Sequence, residues 1–180
     1  GIGKSIAHLL AEAGAQVAVH YNRNKAAAEA VAAEIGNGAQ RFQANLEDAQ
    51  DCVRLVSDVL GSFGRIDVLV NNAGIVVPIE QDADTDSFVG GWNKTLQVNL
   101  VATALLCHEL IPHFSKQGGG RFIHISSRAA FRGDTPEYMA YAASKGGMVA
   151  FSRSIARGYG KQGIKSFIVA PGFTRTDMAQ

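Results

Sequence analysis

Long apolar runs are missing from this sequence. None approaches the ~20 residues that a helix needs to cross a bilayer, and the first residues do not resemble a signal peptide. Charge of one sign is missing too. The 17 Lys and Arg against 16 Asp and Glu leave a net charge of +1, with no basic run. That excludes a protein built around nucleic-acid phosphates, which needs a concentrated basic surface. Cysteine is scarce: Cys52 and Cys107 cannot make a disulfide framework, and their apolar helical contexts predict buried free thiols. His8, His20, His108, His113 and His124 show no metal-ligand spacing, so no metal is expected. These absences point to a cytoplasmic protein with neither a membrane nor a nucleic-acid partner. What remains is an ordinary globular balance, 47% hydrophobic and 18% charged over 180 residues, enough for one domain with a sizeable core.

Strand-like and helix-like segments alternate along the chain. "KSIAHLLAEAGA" places Ile6, Leu9, Leu10 and Ala13 at helical spacing and stops at Gly14. "QVAVHY" is a short strand, and "KAAAEAVAAEIG" is an alanine-rich helix ended by Gly36. "AQRFQAN" alternates like a strand, and "AQDCVRLVSDVLGSFG" is amphipathic. "RIDVLVNNAG" is a buried strand running into a turn, followed by a surface loop over 80–91. A long helix is predicted for "WNKTLQVNLVATALLCHELIPHF", a strand for "GRFIHISS", a second long helix for "MAYAASKGGMVAFSRSIARGYG", and a last strand for "IKSFIVAPG". Alternation with apolar strands predicts an α/β fold, a doubly wound parallel sheet covered on both faces.

Four short motifs carry the chemistry. "GIGKS" at Gly1–Ser5 fits the tail of a P-loop or the tail of a dinucleotide-binding turn, since both are glycine-rich and open a helix. "LVNNAG" ends a strand in Asn71 and Asn72, where a P-loop enzyme would want an acid to hold magnesium. "HISS" puts Ser126 and Ser127 at a strand end, facing the crevice where open α/β sheets bind ligands. "YAASK" sets Tyr141 and Lys145 one helical turn apart on a shared face. A neighbouring ammonium favours a phenolate and brings the phenol toward neutral pH, where acid–base catalysis is efficient. Tyr138 is a competing phenol, but its i+4 neighbour is Ala142.

Taken in order, "GIG…NNAG…N…SS…YAASK…PG" resembles the short-chain dehydrogenase/reductase family, in its single-domain branch. The resemblance spans nearly the whole chain. It reads "GIGKS" as the end of a Rossmann turn, with backbone amides at the helix N-terminus taking a pyrophosphate. It implies one Rossmann domain over 1–180 that is incomplete: the central strand feeding the turn, and the lid and last strand after Gly172, are expected to lie outside it. It further implies a catalytic set of Asn99, Ser127, Tyr141 and Lys145. Tyr141 would exchange the proton with the substrate oxygen and Ser127 would orient that oxygen. Lys145 would depress the tyrosine and hold the nicotinamide ribose. Asn99 would help hold a water that links Lys145 to solvent. Cofactor contacts would come from Gly1, Ile2, Gly3, Asn45, Leu46, Asn72, Ala73, Gly74, Pro171, Gly172, Thr174 and Thr176.

The segment after the second strand, "VHYNRN", lacks the acid that grips the ribose 2′-OH of NAD, and offers Arg23 for a 2′-phosphate, so NADP is expected over NAD. Three features depart from the family's pattern. Ser127 and Tyr141 are fourteen positions apart, one more than usual, with Arg128 at the usual offset. Asn45 stands where an aspartate is common, and Phe167 where an asparagine is. The expected activity is hydride transfer between NADP(H) and a small-molecule ketone or secondary alcohol, with a 3-oxoacyl thioester favoured. A non-catalytic dinucleotide-binding or scaffold protein is the alternative. The helices near 93–115 and 139–159 are expected to form subunit contacts in a homo-oligomer, a tetramer or dimer.

Overall fold

A computed structural model describes residues 1–174, which form two compact units, Gly1–Arg65 and Ile66–Thr174. Thr176 lies outside the described residues. The first unit runs α1 (Ile2–Glu12), β1 (Ala18–Tyr21), α2 (Lys25–Ile35), β2 (Gln40–Gln43), α3 (Ala49–Phe63). β1 and β2 are parallel, with Ala18 opposite Gln40 and Tyr21 opposite Gln43. The helix α2 crosses between them, as a parallel pair requires. Helix ends follow local chemistry. Asn24 accepts a hydrogen bond from the Ala27 amide at the start of α2, and Asp48 accepts from the Gln50 and Asp51 amides at the start of α3. Cys52, Leu55, Val56 and Val59 form the buried stripe of α3, at the spacing of one helix face. No residue of α1 is fully buried, and Leu9 is 64% exposed.

The second unit runs β3 (Val68–Asn71), α4 (Thr85–Leu96), a π turn (Gln97–Val101), α5 (Ala102–Gln117), β4 (Gly120–Ile125), α6 (Ala129–Arg132), a 3-10 turn (Pro136–Tyr138), α7 (Met139–Tyr159), a further 3-10 turn (Gly160–Gln162) and β5 (Ile164–Val169). Its sheet is parallel throughout, in the order β3-β4-β5, with Phe122 of β4 opposite both Leu69 and Ser166. Leu110 and Phe114 of α5, Phe122 of β4, Met148 of α7 and Ile164 of β5 are the fully buried apolar centre. The chain is therefore α/β with parallel strands and helical crossovers, as expected. Among the described residues the strands pair as two sheets, one in each unit.

Two boundaries differ from the sequence reading. The supposed surface loop 80–91 is helical from Thr85. Asp84 caps the helix by accepting from the Ser87 amide, and Phe88 stacks on Trp92 one turn later, with centroids 5.5 Å apart. The long helix predicted from Trp92 onward is interrupted: the Ala102 amide reaches back five residues to the Gln97 carbonyl. The widened turn holds Val98 and Asn99 in the interior.

Gly120 explains part of the "QGGG" run. A Cβ there would lie 2.3 Å from the Phe114 ring, so only glycine lets β4 start beneath α5. Both cysteines are free and buried, and burial pushes the Cys107 thiol up to about 12. Among the described residues, no helix is long and apolar enough to cross a membrane.

Candidate active site

The three strands of the second unit end on one side in the segments that the motifs occupy. Asn72–Gly74 follow β3, Ser126 and Ser127 follow β4, and Pro171–Gly172 follow β5. The last two segments are stitched together. The Ser126 amide donates to the Val169 carbonyl at 2.8 Å, the Arg128 amide to the Pro171 carbonyl at 3.3 Å, and the Arg128 guanidinium lies 3.8 Å above the Phe173 ring. Carboxyl ends of parallel strands are where open α/β sheets take their ligands.

The helix α7 brings the tyrosine–lysine pair to this edge. Lys145 is buried. Its ammonium donates to the Ile125 carbonyl at 2.9 Å and sits 5.7 Å from the centre of the Tyr141 ring. Removal from water pulls its pKa down to about 8. Tyr141 is half-buried, and here the structure corrects the sequence reading. Burial pushes the phenol above its ordinary value, the Ser127 hydroxyl pulls it back, and the Asp134 carboxylate pushes it further up. The net direction is upward, the opposite of the expectation drawn from the Lys145 ammonium, because burial outweighs the groups that favour the phenolate.

The two serines have different jobs. Ser126 is buried, and its hydroxyl donates to the Lys145 carbonyl at 3.1 Å, which ties β4 to α7. Ser127 is half-buried, accepts from the Ala129 amide at 3.1 Å and meets the Tyr141 phenol. The fourteen-residue interval between Ser127 and Tyr141 is taken up by α6 and the 3-10 turn.

Asn99 has no exposure to solvent. Its Oδ1 accepts from the Ile75 amide at 2.8 Å, and its Nδ2 donates to the Ile75 carbonyl at 2.9 Å and to Ser144 Oγ at 3.0 Å. It clamps the loop after β3 against the interior of the unit. Its own carbonyl accepts from the Thr103 hydroxyl at 3.1 Å. Gly74 sits inside this clamp. A Cβ there would be 3.2 Å from Asn99 Oδ1 and 3.3 Å from Lys145 Nζ, so the glycine keeps the ammonium's surroundings open. A lysine offers three N–H donors, and Ile125 takes one. The pair of asparagines divides: Asn72 lines the segment leaving the sheet, while Asn71 is buried and bonds to His124 Nδ1 at 3.2 Å and Cys107 Sγ at 3.6 Å. Asn71 is therefore part of the core.

In the first unit, Gly1 caps α1 with no side-chain hydrogen bond. Arg23 is exposed and makes no ion pair among the described residues, whereas Lys25 lies 3.8 Å from Glu29. Asn45 Oδ1 is turned onto the Glu47 amide at 3.1 Å, and Leu46 is buried. In the second unit, Thr174 donates to the Gly172 carbonyl at 3.3 Å. The histidines have structural partners. His8 meets Glu34, His20 meets the Ala44 carbonyl, His113 accepts from the Ile66 amide, and His108 lies 4.0 Å from Glu109. Among the described residues no three metal-ligating side chains converge.

The family model for short chain dehydrogenases matches residues 1–180. The chain belongs to the short-chain dehydrogenase family. This short-chain dehydrogenase is 37% identical over 186 residues to a 3-oxoacyl-[acyl-carrier-protein] reductase of Synechocystis sp., covering 100% of the chain and 72% of the relative. It is 37% identical to the 3-oxoacyl-[acyl-carrier-protein] reductase FabG of Staphylococcus aureus, over 99% of the chain and 72% of that protein. It is 34% identical to the D-threitol dehydrogenase of Mycolicibacterium smegmatis, over 99% of the chain and 68% of that protein. It is an oxidoreductase that uses a nicotinamide dinucleotide, and membership removes the P-loop reading of "GIGKS". The residue that sequence reasoning passed over is Ser144, inside the quoted "YAASK". Nothing in the sequence signals that its hydroxyl points at Asn99.

Proposed function

We propose that this dehydrogenase reduces a ketone with NADPH, Tyr141 giving the proton, and that a 3-oxoacyl thioester is the first substrate class to try. The observation that carries the reading is the meeting of Ser127, Tyr141 and Lys145 at the carboxyl edge of one sheet, with Asn99 fixing the loop beside them. Bound NADPH supplies the hydride. For its adenosine half, the first unit offers the α1 N-terminus at Gly1, Ile2 and Gly3, the Arg23 guanidinium for a 2′-phosphate, and Asn45 with Leu46. For its nicotinamide half, the second unit offers Asn72, Ala73, Gly74, Lys145, Pro171, Gly172 and Thr174.

The residues divide the work by charge. A phenol held above its ordinary pKa is protonated at neutral pH, which is the form needed to give a proton to a developing alkoxide. Ser127 donates to the substrate oxygen and holds it at the phenol. The phenolate left behind faces the Ser127 hydroxyl and the Lys145 ammonium, whose charge matters most at that moment. Burial that raises the phenol therefore favours reduction, and oxidation of the alcohol must wait for the phenol to ionise. The two relatives named as 3-oxoacyl reductases support the thioester. The threitol dehydrogenase relative makes a polyol the second candidate. Subunit contacts through α5 and α7 fit the exposed Val101 and Met139 near their starts, and sedimentation as a monomer at micromolar concentration would refute them.

The test is NADPH oxidation against a panel of 3-oxoacyl thioesters, simple ketones and ketoses. Tyr141→Phe is expected to lower kcat/KM by about 10²–10⁴-fold, the contribution of a positioned acid, with NADPH affinity retained. Unchanged turnover in Tyr141→Phe would exclude the mechanism.

A further inference from the structure

We propose that Ser144 is a positioning residue for the tyrosine–lysine pair, holding Asn99 and the loop beneath Lys145 in register with α7. The proposal rests on reading Tyr141 and Lys145 as the reactive pair. Ser144 stands one residue before Lys145 and has no solvent exposure. A serine hydroxyl has one proton to give and lone pairs to accept. The proton goes to the Tyr141 carbonyl at 2.7 Å, and the oxygen accepts from Asn99 Nδ2 at 3.0 Å. Both ends of the hydroxyl are thus committed, one to the residue that carries the phenol and one to the asparagine that grips Ile75.

Asn99 has no other way to be satisfied. Its Oδ1 is needed by the Ile75 amide, and one Nδ2 proton by the Ile75 carbonyl. Among the described residues, the second proton has only Ser144. Rotating the amide to free it would face two donors or two acceptors at Ile75, and no solvent reaches the group. Loosening Asn99 loosens Ile75 and with it Gly74, whose backbone forms the wall next to Lys145 Nζ. Hydrogen bonds thus run from the Tyr141 carbonyl through the Ser144 hydroxyl and the Asn99 amide to the Ile75 backbone, next to Gly74. Ser144 touches no reacting atom; it acts through Asn99.

The experiment uses Ser144→Ala, because alanine preserves the helix and removes only the hydroxyl. Three readouts apply to the protein as it stands. In side-chain amide NMR, one Asn99 Nδ2 proton is expected to lose exchange protection. In NADPH-dependent ketone reduction, kcat falls by about 10- to 100-fold, as for a sub-ångström misplacement, while the ketone KM moves less than about twofold. The midpoint of the pH–rate profile shifts as well, since the surroundings of Lys145 change. The double variant with Asn99→Ala is no slower than Asn99→Ala alone, as coupled residues require. A wild-type kcat and pH profile in Ser144→Ala, or losses that simply add in the double variant, overturns the proposal. If the unmodified protein turns over no ketone, the proposed function fails and the Asn99 exchange readout alone decides for or against the Ser144 contact. Should Ser144→Ala fail to fold, Ser144→Cys replaces it, matching the shape but bonding weakly, with the same expected and refuting results.

Discussion

Acidification from pH 7 to pH 4 is expected to destabilise the fold by about 3 kcal/mol through His124 alone. The ring is fully buried in β4 and spans three strands. Its Nδ1 faces the Asn71 amide of β3 at 3.2 Å, and its Nε2 faces Ser166 Oγ of β5 at 3.1 Å. Ser166 in turn meets Ser152 of α7 at 2.7 Å. Because Asn71 presents an N–H, Nδ1 must be the bare nitrogen and Nε2 carries the proton. A second proton would point at a donor in a dry interior, and burial accordingly lowers the pKa from 6.5 to about 4. The sign follows. As pH falls, the unfolded chain takes up the proton near 6.5 and the folded one only near 4, so the contribution is complete above 6.5 and is lost as pH falls to about 4. A gap of about 2.5 pH units, at about 1.4 kcal/mol each, gives about 3.5 kcal/mol in full, of which about 3 kcal/mol is lost by pH 4, where the folded ring is half protonated. That is a large part of the ~5–15 kcal/mol that holds a typical domain.

The assay is urea unfolding, followed by circular dichroism at pH 7, 6, 5 and 4.5, on the protein and on His124→Gln. Differencing the two removes the carboxylates Glu34, Asp51, Asp84 and Glu137, which hydrogen bonds hold low and which lose their contributions toward and below pH 4. Histidine NMR should show the His124 ring still neutral at pH 5. A flat difference curve between pH 7 and 4.5, or a ring titrating near 6.5, refutes the reasoning.

Arg23→Ala should raise the KM for NADPH about tenfold or more and leave that for NADH nearly unchanged, because a lost charge-assisted bond to the 2′-phosphate is worth about 1.5–3 kcal/mol; equal effects on both cofactors would remove Arg23 from the phosphate site. Gly120→Ala should lower the melting temperature by an overpacking cost of about 1–3 kcal/mol, since the new methyl meets the Phe114 ring at 2.3 Å. Gly158→Ala, in α7 with nothing within 4 Å, should raise stability by about 0.5–1 kcal/mol in the same melts. Burial of Tyr141 predicts that alcohol oxidation rises with pH well past neutrality while ketone reduction declines over the same range; parallel pH profiles in the two directions would contradict it.

The sequence by itself determined the order of strands and helices, the parallel α/β class and the one-turn pairing of Tyr141 with Lys145, while Ser127 was implied by the family resemblance. The first three depend on local spacing: apolar alternation, glycine punctuation and a one-turn interval on a helix. Even the helix start missed at Thr85 was present in the Asp84–Ser87 cap. Tertiary structure alone decided the rest. The π turn that brings Asn99 inward, the tie from Ser126 to α7, the removal of Asn71 into the core and the link through Ser144 all depend on partners 19 to 53 residues away. The sign of the tyrosine's pKa shift depends on how much water reaches it. Spacing along a chain sets which groups can share a face. Burial and hydrogen-bond partners, which set charge and orientation, exist only once distant segments have packed together.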